Sequence, residues 1–419
     1  MHRFVSVVAC AVTLTVVMAC RPTRAGAPVV IHDDAPAAGA DASTPFAAAA
    51  PDGTTWMTWT ERGVDSAWTV RVSHRAAHGA WSTPRTVVSD SLLFANWADF
   101  PSVVVDARGR LIAHFLRRSA PGTYSYHAWV TTSADSGVTW SAPQRLHGDA
   151  SATEHGFVAL VPQADGTTDA AWLDGRGTRS GHDMGGGLDA RATHKAMSLA
   201  FGVIDSALHV HPDTILDART CDCCQVAGVA VGRGAVFAYR DRSEAEVRDI
   251  AVVRYDGTAW SPPAIVHADG WVTRACPVNG PAIAARDSIV ALAWFTNARD
   301  TAKVQLRFSG DGGVTWGAPT RIDDGSPVGR VDVEYLPGRG ALVTWMERTA
   351  KTRAEIRARL VTREGLVSRA AVIAVTSDAR PAGFARTAVL NDSTALVAWR
   401  ELSTPARLRT ARIIAPSAP

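Results

Sequence analysis

One pattern constrains the fold more than any other: the chain repeats itself about every 55 residues. Trp-x-x-Pro occurs from Trp81 to Pro84, Trp140 to Pro143, Trp260 to Pro263 and Trp316 to Pro319, at Trp intervals of 59, 120 and 56 residues. The middle interval is close to two periods. A second series keeps the same beat. Short β-rich runs bounded by Gly or Asp end in a large aromatic, or once in His, at Trp59, His114, Trp172, Tyr239, Trp294, Trp345 and Trp399. Their spacings are 55, 58, 67, 55, 51 and 54 residues. The long one contains Arg176 to His194, whose Gly-His-Asp-Met-Gly-Gly-Gly core reads as an inserted loop. Self-similarity at such a period marks a repeat architecture, so 419 residues need not divide into several domains.

Each unit carries four strand-like runs. In the fifth they are Ala282 to Ala284, Ile289 to Trp294, Val304 to Phe308 and Thr320 to Ile322. Short strands with Gly-rich turns and almost no helical periodicity predict an all-β chain, a β-propeller with one four-stranded blade per unit. Seven units favour seven blades, with six as the alternative. The seventh unit, Arg380 to Ile414, shows three runs and stops. A strand at 28–32, around Val29-Val30-Ile31, is expected to supply the fourth and close the ring, which removes the edges an open sheet exposes. The propeller is placed at 45–415 as a single domain.

Two turns between third and fourth strands share a motif. They are Ser133-Ala134-Asp135-Ser136-Gly137-Val138-Thr139-Trp140 and Ser309-Gly310-Asp311-Gly312-Gly313-Val314-Thr315-Trp316. In both, Asp accepts turn N–H groups, Gly takes a positive φ and Trp packs beneath. A worn copy is Tyr255 to Trp260. On these residues the chain resembles the Asp-box (BNR-repeat) propellers of the sialidase superfamily. The resemblance implies a sugar-directed function, and for a true sialidase an arginine triad, a Tyr activated by a Glu, and an Asp acid/base. The sequence shows no Arg-Ile-Pro signature near the first blade. None of its five Tyr is placed as a nucleophile on the rim opposite the Asp-boxes.

The first residues carry an address. Residues 1–19 read as a signal peptide: a short basic start, then an apolar run from Val5 to Met18 too short to span a bilayer. The sequence Val17-Met18-Ala19-Cys20 resembles a bacterial lipobox, which would make Cys20 the acylated first residue. Residues 20–44 then form a lipid-attached linker, and the protein is expected in the cell envelope, outside the cytoplasm, as a monomer held by its lipid alone. A net charge of +3 gives no nucleic-acid footprint.

A four-stranded meander fixes which residues share a rim. First strands start, and second strands end, at the end of the ring opposite the Asp-boxes. Two residues past each aromatic marker stand Glu61, Leu116, Asp174, Asp241, Thr296, Glu347 and Glu401, five of them acidic. Asp174, Asp241 and Glu347 form the pool of catalytic carboxylates if the protein is a glycosidase. Arg176, Arg240, Arg242, Asn279 and Arg400 are the ligand-binding candidates, the arginines for a carboxylate or phosphate held bidentately. The same charges equally suit carboxylate–guanidinium pairs between blades.

Every cysteine left after the signal and Cys20 lies in one stretch: Cys221, Cys223, Cys224 and Cys276. An even count in an exported chain points first to a disulfide, naturally from the cluster to Cys276 on the next blade. The remaining readings are a soft metal site with His155 nearby, and a redox-active group. Three functions follow: recognition of a glycan or other polar ligand, glycoside hydrolysis, and metal or redox handling at the thiols, with a soft metal as the one cofactor in view.

Overall fold

The computed structural model describes residues 26–39, 41–63, 67–76, 79–178 and 196–417. The signal peptide, Cys20 and most of the inserted loop, including His182 and Asp183, lie outside these residues. Seven four-stranded antiparallel sheets form a ring. Blades one to six use consecutive strands, from Ser43–Ala49 at the start of blade one to Ala371–Thr376 at the end of blade six. Blade seven combines Arg386–Asn391, Thr394–Glu401 and Arg407–Ile414 with Val29–Asp33. The expected ring closure is therefore present, with Val29 opposite Ile414 and Asp33 opposite Thr410.

The burial of the strands explains their sequences. First strands of neighbouring blades lie side by side around the axis. Second strands are covered on both faces by the blades on either side. Thr168–Asp174 and Gly234–Arg240 are buried at every position, so their sequences read as continuous small or apolar runs rather than alternating ones. The repeated aromatics sit here. Trp59, Trp172, Trp294, Trp345 and Tyr239 are among the largest fully buried side chains. Trp345 packs in one cluster with Ala291, Ala293 and Phe295 of blade five and Val331 and Val333 of its own blade, which is how one blade binds the next.

The two Ser-x-Asp-x-Gly-x-Thr-Trp turns close on themselves. Asp135 accepts the Thr139 N–H at 2.9 Å and the Thr139 hydroxyl at 2.6 Å, while Ser133 Oγ accepts the Gly137 N–H at 2.8 Å. Asp311 and Ser309 repeat the pattern with Thr315 and Gly313. Gly137 and Gly313 have φ of 84° and 83°, which a side chain would resist. Both turns follow third strands and so lie at the end of the ring opposite Cys276, which precedes a first strand. No helix among the described residues is long and apolar enough to cross a membrane.

Candidate functional site

The ring of rim carboxylates has a structural cause. Strand side chains alternate, so residue i+2 points to the same face as the aromatic at i. The Trp59, Trp172 and Trp345 indoles donate to Glu61 at 2.8 Å, Asp174 at 3.0 Å and Glu347 at 2.7 Å. Where residue i+2 does not serve, another carboxylate does: Tyr239 Oη donates to Asp217 at 2.5 Å, and the Trp294 indole to Asp269 at 2.7 Å. Buried indoles need an acceptor, and the acidic ring supplies it. Glu347 is further occupied by the N–H of Ser326 at 2.6 Å. Asp241 is half-buried and pairs with Thr220 across the boundary of blades three and four. Two of the three carboxylates expected as a catalytic pool, Asp174 and Glu347, are thus placed in blade construction, while Asp241 meets Thr220 through the backbone.

The arginines separate in the same way. Arg240 is 1% exposed. Its guanidinium donates to the carbonyls of Asn279 at 2.7 Å, Arg248 at 2.6 Å and Phe295 at 2.7 Å, and lies 4.8 Å over the Trp271 ring. It ties blade four to blade five and presents no donor to the mouth, contrary to the expectation from sequence. Arg242 is buried between Asp222 and Glu246, both at 2.8 Å. The Asn279 side chain donates to Val328 O and accepts from Arg330 N, joining blades five and six. Arg176 stays partly exposed but is clamped by Asp174 and Asp213. Arg400 is half-buried, with Nη1 on the Pro381 carbonyl.

The thiols do converge. Cys221 to Cys224 follow the last strand of blade three, Thr214–Thr220, and Cys276 precedes the first strand of blade five, Ala282–Arg286. The two connecting loops touch: a Cβ on Gly280 would lie 2.2 Å from Gln225 O, so only glycine permits the approach. The sulfurs of Cys221, Cys223 and Cys224 lie within 4.8 Å of one another, with Cys221 and Cys224 at 3.5 Å. Across the blade boundary the Cys276 thiol is held below its usual range, first by its interaction with Cys223. All four are free thiols, and the cross-blade disulfide expected from the cysteine count is not formed. Arg248 Nη1 stands 3.1 Å from Cys221 Sγ and Asn279 N–H donates to Cys224 Sγ at 3.4 Å. Burial opposes ionisation of Cys221, but hydrogen bonds from Cys223 and Cys224 and the charges of Arg248 and Arg240 outweigh it and hold this thiol well below its usual range. The Tyr124 hydroxyl is raised first by burial and also feels Glu154, Arg380, Cys276 and Cys223.

His155 does not join the thiols. It belongs to a histidine group with His127 and His147, neither singled out in the sequence. Burial first, then the neighbouring charges of His155 and Arg145, lowers the His127 pKa to about 4, and burial likewise holds His147 and His155 below the usual imidazole range.

Tyr126 is a further departure. It opens a third strand, Tyr126–Ser133, and third strands start where second strands end, so it lies at the mouth end of the ring. Its hydroxyl contacts Glu154 at 2.5 Å and Asp99 at 3.1 Å. The group is sealed: Tyr126 is 0% exposed, stacked 4.2 Å from Phe94, and Gly156 leaves no room for a Cβ against Asp99. A Tyr–Glu pair is present, but closed from solvent. Burial raises Asp99 to about 7 and Glu154 well above the usual carboxylate range. A carboxyl raised on folding contributes full stability below its unfolded pKa of about 4 and loses it as pH rises through about 7. Asp99→Asn keeps an acceptor for the Phe157 N–H and a donor for Tyr126 Oη. It should match the wild type near pH 4 and exceed it at neutral pH by up to about 4 kcal/mol. Urea unfolding midpoints at the two pH values check this; a wild type that gains stability relative to the variant with rising pH would contradict it.

No protein-family model matches the chain, and no curated protein does. Solved structures do. The BP39L lectin from Burkholderia pseudomallei matches with TM-score 0.63 at 14% identity, over 91% of this chain and 98% of the lectin. The polysaccharide lyase Uly1 matches with TM-score 0.50 at 10% identity, over 91% of each chain. The Hadza microbial sialidase Hz136 matches with TM-score 0.49 at 13% identity, over 83% and 73%. The fold is that of a seven-bladed β-propeller, shared with the lectin. At these identities the likeness concerns the fold, and chemistry has to be argued from the residues at the mouth.

Proposed function

We propose that this propeller binds a soft metal ion, Cu(I) or Zn2+, through Cys221, Cys223, Cys224 and Cys276, and does so as an exported protein. The observation that carries the reading is the group of three sulfurs within 4.8 Å, those of Cys221 and Cys224 buried, with the Cys276 thiol acting on Cys223 from across the blade boundary. A tetrahedral site with Zn–S bonds of about 2.3 Å has sulfur–sulfur edges of about 3.8 Å. The 3.5 Å between Cys221 and Cys224 is close to such an edge. Thiolate ligands select Cu(I) and Zn2+ over hard cations. Arg248 and Arg240, whose charges act on Cys221, offset the negative charge that several thiolates would gather there.

The test uses the full chain, reduced and kept from air, titrated with Cu(I) against a chromophoric chelator. The wild type should hold the ion at least tenfold more tightly than Cys223→Ser and Cys276→Ser. Thiol counting should show four reactive sulfurs without metal and a protected set with it. Two disulfides in the native protein, and no metal uptake after reduction, would sink the proposal and return the cysteines to a structural role.

A second reading, carbohydrate recognition at the same end of the ring, draws on exposed charge pairs. Arg348, with a side chain 49% exposed, meets Asp378 at 2.8 Å, and Arg176 retains an exposed edge. The fold shared with a lectin and a polysaccharide lyase suits it. Glycan-array binding, with reducing-sugar release measured in parallel, separates a binder from a hydrolase.

A further inference from the structure

We infer that His127, His147 and His155 form a second metal site, for a borderline divalent cation of the Zn2+ class, at the junction of blades two and three. The topology builds it from three strand ends. His127 is the second residue of Tyr126–Ser133, His147 lies just past Gln144–Arg145, and His155 opens His155–Pro162. All three termini lie at the mouth end, and one ring nitrogen from each falls within 4.8 Å of the others. The side chains are buried, at 7%, 4% and 0% exposure.

The distances suit a cation. Zn–N bonds of about 2.0–2.1 Å in a tetrahedron give nitrogen–nitrogen edges of about 3.3–3.4 Å. His127 Nδ1 and His155 Nδ1 are 3.4 Å apart. Carboxylates stand behind the second ring nitrogen. Asp149 Oδ2 is 3.1 Å and Asp174 Oδ1 3.6 Å from His155 Nε2. The alignment is too poor for a good hydrogen bond, but the negative charge favours a proton on Nε2. That leaves the Nδ1 lone pair directed at His127, the arrangement in which a carboxylate orients a metal-ligating imidazole. Arg176 and Arg145 are the cations nearby, the first paired with Asp174 and the second bonded to the His147 carbonyl.

His147 supplies an independent sign. Both of its ring nitrogens are buried and have no hydrogen-bond partner. Buried polar atoms are rarely left so, and each lacks the water it gave up. Its ring lies parallel to that of His155, 3.9 Å away and at 7°. Turning the His147 ring, which no hydrogen bond holds, would direct a nitrogen to the gap between the other two. Three imidazoles leave a fourth position for water or a further ligand.

The site shares no residue with the thiol centre, and Co2+ as a Zn2+ substitute tells the two apart. Sulfur ligation gives a near-ultraviolet charge-transfer band, whereas imidazole ligation gives visible d–d bands without it. In the full chain carrying Cys223→Ser and Cys276→Ser, Co2+ should give strong visible bands alone. Zn2+ should displace it one for one. Adding His147→Ala or His127→Gln should weaken Zn2+ binding at least tenfold. If the cysteine variant does not fold, the wild type with His147→Ala should hold one Zn2+ fewer per chain than the wild type, with its charge-transfer band intact. Visible bands absent in a folded cysteine variant, or Zn2+ affinity and count unchanged by His147→Ala, would overturn the site and leave the three rings as core packing. Visible bands without a charge-transfer band in the wild type would count against the thiol reading and not this one.

Discussion

Arg240→Ala is expected to destabilise the propeller by about 3–5 kcal/mol. The guanidinium satisfies three buried carbonyls, those of Asn279, Arg248 and Phe295, drawn from the loops and strands of blades four and five. Removing it strands three acceptors, each costing about 1–3 kcal/mol, with some recovered by water entering the space. The stacking on Trp271 adds about 1–2 kcal/mol to what is lost. Arg240→Lys should recover only part, because one ammonium cannot reproduce a planar fork aimed at separate carbonyls. Urea unfolding measures both. A loss below about 1 kcal/mol for the Ala variant would show that the junction relaxes freely and that the contacts carry little energy. The same variant separates the roles of charge and structure at the thiols, since Arg240 is one of the charges acting on Cys221.

The ring was legible because its signals repeat. One aromatic at one strand position says little, but seven at a steady interval specify a unit. The two Ser-x-Asp-x-Gly-x-Thr-Trp turns fix where in the unit the third strand ends. Even the closing strand could be placed, since the last unit lacked one strand and Val29-Val30-Ile31 was the unassigned β-rich run. The strand alternation then sorted residues to the correct end of the ring, thiols on one side and Asp turns on the other.

The site was less legible, and for a physical reason. Sequence period gives a residue's height along the axis but not whether its side chain looks into the mouth or into the seam between blades. Asp174, Glu347 and Arg240 were assigned to the right end and the wrong surroundings. Their partners, the Trp172 and Trp345 indoles and three backbone carbonyls, are fixed by packing. The i, i+2 spacing of Trp and carboxylate was a usable signal for this: in three units it reads directly as an indole and its acceptor. The third strand of blade two starts at Tyr126 and leaves Tyr124 in the loop before it. The histidine group was invisible because its members come from three different strand ends across two blades. Only the thiols, three of them within four residues, announced themselves.

Deleting residues 26–39 is expected to cost the fold more than any single substitution in the blades, because it reopens the ring at its last strand. Val29–Asp33 pairs along Thr410–Ile414, so its loss leaves the outer edge of blade seven unpaired. The segment also fastens the blade to its neighbour. Asp33 binds Arg412 at 2.7 Å and Arg75 at 3.4 Å, Asp34 O accepts the Trp81 indole at 2.9 Å, and the Gly39 N–H donates to Glu61 at 2.7 Å. Ala35 and Ala38 cover Met57, Trp59 and Ala398 where blades seven and one meet. Each lost hydrogen bond is worth about 1 kcal/mol and a buried ion pair more, so the total should exceed about 5 kcal/mol. For a propeller held by one such closure, that is a large part of the whole stability. The exposed edge of Arg407–Ile414 is also a template for pairing with another chain. The truncated protein should therefore melt well below the full chain and form concentration-dependent aggregates, seen by thermal melting and light scattering. Supplying residues 26–39 as a free peptide should restore part of the lost melting temperature, as binding to the folded state requires. A truncated chain that melts within a few degrees of the full one, and scatters no more light, would mean that the seven blades hold without the strand. The ring would then be closed by the seam between blades seven and one rather than by the ladder.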